Sequence, residues 1–95
     1  MGSEMCIRDR NYPNPFNPIT TIQYDVPDNS LVRIIIYDLM GRKIRTLVDE
    51  VSTPGRYAIT WNGTNDFGQP VSSGMYFYRM KSTDFQSVKK LMLLK

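Results

Sequence analysis

Short runs of β-forming residues, separated by turn signals, make up the sequence from Thr20 onward. The runs are rich in Ile, Val, Tyr and Thr, and they alternate between apolar and polar residues, which is typical of half-buried strands. The turn signals recur about every ten residues, and no segment sustains a helical period. We therefore predict an all-β fold in which antiparallel strands are joined by short turns.

The alternation also predicts which side chains face the core. The predicted inward residues are Ile22, Tyr24, Val26, Val32, Ile34, Ile36, Ile44, Tyr57, Ile59, Trp61, Tyr76, Tyr78 and Met80. Trp61 is the only tryptophan and is expected near the centre of this core. The inward face of the last run stays ambiguous, because Leu91 to Leu94 are consecutive apolar residues. Counting the runs gives an immunoglobulin-like antiparallel β-sandwich of about seven strands.

Turn chemistry marks the connections. Gly41 in "DLMGRK" is placed to take the positive φ of a tight hairpin, with Lys43 and Arg45 facing outward on the return strand. The segment "DEVSTPG" is expected as a turn, so that Asp49 and Glu50 would lie outside the strands. Gly63 and Gly74 are expected to shape the two ends of the long loop that follows Trp61.

The long loop offers Asn62, Asn65 and Asp66 as candidate oxygen ligands within five positions. A calcium site gathers about six to eight oxygens with several carboxylates. Side chains that bond their own backbone are therefore the favoured interpretation. The triplet "NGT" at Asn62 also fits the N-glycosylation pattern, but we expect no modification there.

Composition excludes several kinds of chemistry. The chain of 95 residues has no histidine and one cysteine, Cys6, so Ser-His, Cys-His and Cys/His metal sites are excluded. The carboxylate pairs Asp49–Glu50 and Asp25–Asp28 do not converge on an evident pocket. We expect no enzymatic activity, no cofactor and no metal. A formal charge of +3 indicates ordinary solubility rather than nucleic-acid binding.

The amino-terminal part divides into two pieces before the sandwich. Residues 1–10 show no strand alternation and are interpreted as a non-native leader. Residues 11–19, which contain "NYPNPFNP", are a stiff Pro/Asn-rich junction, because each proline fixes φ and removes a donor. We expect Tyr12 and Phe16 to dock this junction onto the first strand, although a solvated linker is the alternative. Residues 20–95 form the sandwich. Apolar runs such as "IIIY" are too short to span a bilayer, and no export signal is visible at the start.

Read in order, "NPFNP", "IYDLMGRKIRTLV", "WNG", "SGMYFY" and "KKLMLLK" resemble the C-terminal sorting domain of proteins exported by the type IX secretion system. The resemblance covers Asn11 to Lys95. It implies an immunoglobulin-like domain that lies at the carboxyl end of a larger protein. The passenger part of that protein is expected to be absent from this chain. It also implies recognition by the outer-membrane translocon, removal by a sortase-like surface peptidase, and transit through the periplasm to the cell surface or outside.

The resemblance implies that the terminal strand is the element that the translocon recognises. The candidates are Lys89, Lys90, Leu91, Leu93, Leu94 and Lys95. Lysines on a last strand also protect a sheet edge against aggregation, and Arg79 and Lys81 are expected on the same edge. The alternative function is a structural or adhesive module, such as the similar domain of the flagellar hook-capping protein. Ile35, Tyr37 and Phe77 on the outward face would suit docking in either case.

Overall fold

The computed structural model describes residues 9–12, 19–83 and 85–94. Within them the chain forms seven strands and no helix. The strands are β1 (Asp9–Tyr12), β2 (Thr20–Val26), β3 (Ser30–Asp38), β4 (Lys43–Ser52), β5 (Gly55–Trp61), β6 (Gly74–Lys81) and β7 (Gln86–Leu93). The part of the chain that the structure describes holds no helix suited in length and apolar character to crossing a membrane.

The strands form two antiparallel sheets, and the predicted immunoglobulin-like sandwich is confirmed. One sheet has the order β1-β2-β5, and the other has the order β4-β3-β6-β7. Strand β2 pairs with β5, and β3 pairs with β6, so both sheets join strands that are distant in sequence. The chain therefore passes back and forth between the two layers.

The core lies between the sheets and follows the period of two. Its buried residues are Ile22, Tyr24, Val26, Val32, Ile34, Ile36, Val48, Trp61, Tyr76, Tyr78, Met80, Leu91 and Leu93. Ile44, Tyr57 and Ile59, which were also predicted to face inward, are half-buried against it. On the last strand, whose inward face was ambiguous, Leu91 and Leu93 are the residues that face the core.

The segment "DEVSTPG" is not a turn over its whole length, and this prediction is wrong for its first four residues. Strand β4 continues to Ser52, which lies opposite Ser30, so only Thr53 and Pro54 separate β4 from β5. The nine-residue strand β3 supplies backbone partners along this extension. Asp49 lies opposite Arg33, and their side chains form an ion pair at 3.0 Å.

Two register shifts interrupt the pairing of β3 with β4. They fall between Ile34 and Ile35 and between Ile36 and Tyr37. A β-bulge of this kind adds a residue to one strand and re-aims its neighbours. The outward orientation predicted for Arg45 is therefore wrong, since the shift places Arg45 opposite Ile36 on the core side.

Strand β1 begins before the expected domain boundary. Asp9 lies opposite Tyr24 and Arg10 lies opposite Gln23, so the strand crosses the point between residues 10 and 11. Tyr12 closes the strand opposite Thr21. The docking contact expected from Tyr12 and Phe16 lies outside the described residues, as does the proline-rich segment 13–18.

Candidate functional site

The terminal strand β7 is the edge of the four-stranded sheet, and its inward side chains complete the core. Leu91 lies opposite Tyr76, and Leu93 lies opposite Gly74. Both leucines are 0% exposed. In the folded domain, therefore, no partner can contact their side chains without opening the sandwich.

The remaining candidates on this strand are exposed. Lys89 and Lys90 reach solvent, and Leu94 is 48% exposed just beyond the strand. Because side chains alternate along a strand, the two lysines lie on opposite faces of the sheet. Lys89 is in register with Tyr78 on the core side, and Lys90 is in register with Phe77 on the outer side. Lys95 lies outside the described residues.

The five candidates that the structure describes thus divide into two kinds. Leu91 and Leu93 hold β7 in place, and Lys89, Lys90 and Leu94 are the described members that a partner could reach. The sequence marked the whole set but did not separate the two kinds, because consecutive apolar residues hide the strand's phase.

Beside β7, the outer face of the four-stranded sheet brings cations and apolar side chains together. Arg79 lies opposite Val88, and its guanidinium carbon is 5.6 Å from the centroid of the Tyr37 ring. This distance is within the range of a cation–π contact. Ile35 and Phe77 are half-buried on the same face. The docking surface expected from Ile35, Tyr37 and Phe77 is therefore one contiguous region.

The β3–β4 hairpin is fixed by an aspartate that sequence reasoning missed. The Asp38 Oδ1 accepts hydrogen bonds from the backbone N–H groups of Met40 and Arg42, each at 2.9 Å. Its Oδ2 pairs with the Arg42 guanidinium at 3.0 Å. The backbone hydrogen bond from Arg42 is the main cause that lowers the pKa of Asp38. Aspartate at the first position of a turn was the available signal.

Glycines take the backbone conformations that two turns require. Gly41 has a φ of 83° in the hairpin, and Gly63 has a φ of 75° directly after Asn62. Both values lie in the left-handed region that glycine adopts without steric cost. Gly74 begins β6 with a φ of 147°.

The long loop between β5 and β6 is held by its own side chains. The Asn65 Oδ1 accepts hydrogen bonds from the N–H groups of Phe67 and Gln69 at 2.9 and 3.0 Å. The Asp66 Oδ1 accepts one from the N–H of Thr46 at 3.0 Å. The expected turn chemistry is therefore present. Among the described residues, no group of three or more acidic, histidine or cysteine side chains is arranged to hold a metal.

Two core residues anchor the ends of this loop. The Trp61 Nε1 donates a hydrogen bond to the Thr64 carbonyl at 2.8 Å, and the Tyr76 hydroxyl donates one to the Ser72 carbonyl at 2.6 Å. Burial, followed by the nearby charge of Asp38, raises the pKa of Tyr76. Arg45 donates a hydrogen bond to the Thr64 Oγ1 at 2.6 Å, which ties the loop to β4. Sequence reasoning missed this link because it placed Arg45 outward.

Two solved structures from Porphyromonas gingivalis share this fold. Dimeric latent PorU matches with a TM-score of 0.75 at 22% identity, covering 93% of this chain and 9% of that chain. PorZ, described as an essential bacterial surface component of the type IX secretion system, matches with a TM-score of 0.66 at 21% identity, covering 92% of this chain and 11% of that chain. The chain therefore spans about a tenth of each of these proteins.

The sequence itself matches a family model. No curated protein sequence matches the chain. The model of the secretion system C-terminal sorting domain, however, matches residues 10–94. The matched range includes all of β7 and both leucines that complete the core. The chain therefore belongs to the secretion system C-terminal sorting domain family.

Proposed function

We propose that this domain is a C-terminal signal that directs an upstream passenger protein through the type IX translocon to the cell surface or the medium. It acts by being recognised and carries out no reaction itself. The observation that carries the proposal is the family match over residues 10–94.

The structural comparison supports the type IX assignment. A domain of this fold forms about a tenth of PorZ, which is described as a surface component of that system. A module of the same family and fold is suited to the same export route. The proposed partners are therefore the translocon and a sortase-like peptidase at the surface, with the periplasm crossed in transit.

Within the domain, we assign recognition to the exposed part of the terminal strand. Lys89, Lys90 and Leu94 are accessible, and they lie at or near the edge of the four-stranded sheet. Lys95 belongs to the same proposed element. Leu91 and Leu93 act indirectly, because their burial in the core holds the exposed residues at this edge.

A reporter fusion in a type IX-competent cell tests this assignment. The reporter carries its own inner-membrane export signal and is fused ahead of Asp9, so that strand β1 stays intact. The test variants are Lys89→Glu, Lys90→Glu and Leu94→Ser. Arg56→Glu on the other sheet is the matched charge reversal, since Arg56 is 93% exposed and its carboxylate partner lies 3.9 Å away.

We expect the unaltered fusion and the Arg56→Glu fusion to reach the medium or the surface. The terminal-strand variants should accumulate in the periplasm while the purified domains keep the unaltered melting temperature. Undiminished export of all three terminal variants would overturn the assignment of these residues. Failure of the unaltered fusion to leave the periplasm would overturn the sorting function, and would favour a module that stays in a structural or adhesive assembly.

A further inference from the structure

The two sheets present very different outer faces to solvent. The outer face of the three-stranded sheet carries small or neutral side chains and a single ion pair on β2 and β5. Its residues are Thr21, Gln23, Asp25, Arg56, Ala58 and Thr60. The Asp25 carboxylate and the Arg56 guanidinium lie 3.9 Å apart. On β2 and β5, this face is typical of a solvated sheet surface.

The outer face of the four-stranded sheet is both apolar and cationic. Its apolar centre consists of Ile35, Tyr37, Met75, Phe77, Val88 and Met92. Its cations are Arg33, Lys43, Arg79, Lys81 and Lys90. Among the described residues in outward register on this face, the one carboxylate is Asp49, which pairs with Arg33 at 3.0 Å. On this face, cations thus lie beside the half-buried rings of Tyr37 and Phe77.

A cleft opens at the end of this face where β6 turns into β7. It has a volume of about 270 Å³ and is lined by Leu31, Arg33, Lys81, Ser82 and Thr83. Arg33 already pairs with Asp49 at 3.0 Å, so Lys81 and the two hydroxyl groups are the donors around this opening that suit an anionic oxygen such as that of a carboxylate. Leu31 supplies an apolar wall and is itself 41% exposed.

The composition of the face favours a protein partner. Tyrosine, phenylalanine, methionine and arginine are the residues enriched at the centres of protein interfaces, whereas lysines belong to the rim. Ile35, Tyr37 and Phe77 are half-buried by their sheet neighbours, so they lie level with the sheet surface. A flat protein surface can cover them where they lie. The cations then require acidic groups on that surface.

We propose that the outer face of the four-stranded sheet docks onto an acidic protein surface, with a carboxylate of the partner in the cleft beside Lys81. This inference does not depend on the sorting function, because the surface is defined by charge and packing alone. It adds a second contact region to the domain, separate from the exposed end of β7.

Binding to a synthetic acidic polypeptide tests the proposal on the isolated chain. The probe is the copolymer poly(Glu,Tyr), which presents carboxylates and aromatic rings together, and poly(Lys,Tyr) is the opposite-charge control. Amide chemical shifts report which residues the probe contacts. We expect shifts on β3 and β6 and around the cleft, and binding that weakens as salt is raised to about 1 M, where the Debye length is about 3 Å.

Single charge reversals locate the contact. Lys81→Glu and Arg79→Glu should each weaken poly(Glu,Tyr) binding about tenfold, and Arg56→Glu on the other sheet should leave it unchanged. Lys81→Glu keeps the contact between Arg79 and Tyr37, so a loss caused by disturbing that pair would appear in the Arg79 variant alone.

Several results would overturn the proposal. One is no binding of poly(Glu,Tyr) when its glutamate residues are at millimolar concentration. Others are that Arg56→Glu weakens binding as much as Lys81→Glu does, or that poly(Lys,Tyr) binds as tightly as poly(Glu,Tyr). The last is that the chemical-shift changes are confined to the three-stranded sheet. Binding of the domain to vesicles that contain phosphatidylglycerol is measured as the last comparison. If they bind the domain more tightly than poly(Glu,Tyr) and lose affinity with Lys81→Glu, the face is a membrane-binding surface instead.

Discussion

The indole ring of Trp61 meets the phenol ring of Tyr76 edge-on, with the ring centroids 5.4 Å apart and the planes at 76°. This is a favoured arrangement for aromatic pairs. Trp61 belongs to the three-stranded sheet and Tyr76 to the four-stranded sheet, so the contact joins the two layers. Each residue also anchors one end of the long loop through a hydrogen bond to a backbone carbonyl.

Replacing Trp61 should therefore affect stability strongly. Trp61→Ala removes a side chain that is 0% exposed, and we expect a loss of about 3 to 5 kcal/mol in the free energy of unfolding. Trp61→Phe keeps an aromatic ring but loses the hydrogen bond to Thr64, and should be less damaging. Urea denaturation measures both. A Trp61→Ala domain with an unchanged midpoint would contradict the central position of this residue.

The two kinds of residue on the terminal strand should separate in the same measurement. Leu91→Ala opens a cavity in the core and should lower the free energy of unfolding by about 2 to 5 kcal/mol. Leu94→Ala alters a side chain that is 48% exposed, and should shift it by about 0.5 kcal/mol or less. Equal effects of the two substitutions would contradict the assignment of Leu91 to the core and of Leu94 to the surface.

The β3–β4 hairpin offers a test of backbone strain alone. A Cβ added at Gly41 would meet nothing within 4 Å, so Gly41→Ala has no steric clash with neighbours. Its φ of 83° is nevertheless unfavourable for alanine, at a cost of about 1 to 2 kcal/mol. Thermal melts of Gly41→Ala and Gly41→Asn provide the comparison, and asparagine should lose less because it tolerates this region. A stabilised alanine variant would be inconsistent with the turn described.

The same hairpin should give the domain an acid-sensitive component of stability. The pKa of Asp38 is lower in the folded state, chiefly because of the backbone hydrogen bond from Arg42. Its contribution is therefore present above the unfolded pKa of about 3.9, and is lost as pH falls through the folded value. Asp38→Asn should be less stable than the unaltered domain at neutral pH, and the difference should narrow in acid.

Denaturant melts from pH 7 down to pH 2 measure this difference. Asp28→Asn, in the turn between β2 and β3, is the matched control that removes one carboxylate elsewhere in the domain. The prediction would be contradicted if the difference in the free energy of unfolding between Asp38→Asn and the unaltered domain grew as the pH fell.

The period-two pattern made most of the fold predictable. Every inward position predicted on β2, β3 and β6 is buried, because each strand has one face in the core and the register cannot slip without exposing that face. Gly41 was predictable for a related reason, since few residues other than glycine take a positive φ at a tight turn.

Features that depend on a partner strand were not predictable in this way. Asp49 and Glu50 look like turn residues, and only the extension of β3 opposite them makes them strand residues. The orientation of Arg45 depends on the register shift between Ile36 and Tyr37, which no local pattern announces. In the candidate site, four consecutive apolar residues hid which leucines face inward, and pairing with Tyr76 and Gly74 decides it.

The interleaved strand order has a consequence for a chain that has been cut. A single backbone cut between β4 and β5 would leave one fragment with β1 to β4 and another with β5 to β7. Neither fragment contains a complete sheet, because β5 completes the smaller sheet and β6 lies between β3 and β7 in the larger one. The two pieces are thus joined through both layers. Such a nicked domain should remain a non-covalent complex, and fragments made separately should acquire order only when they are mixed.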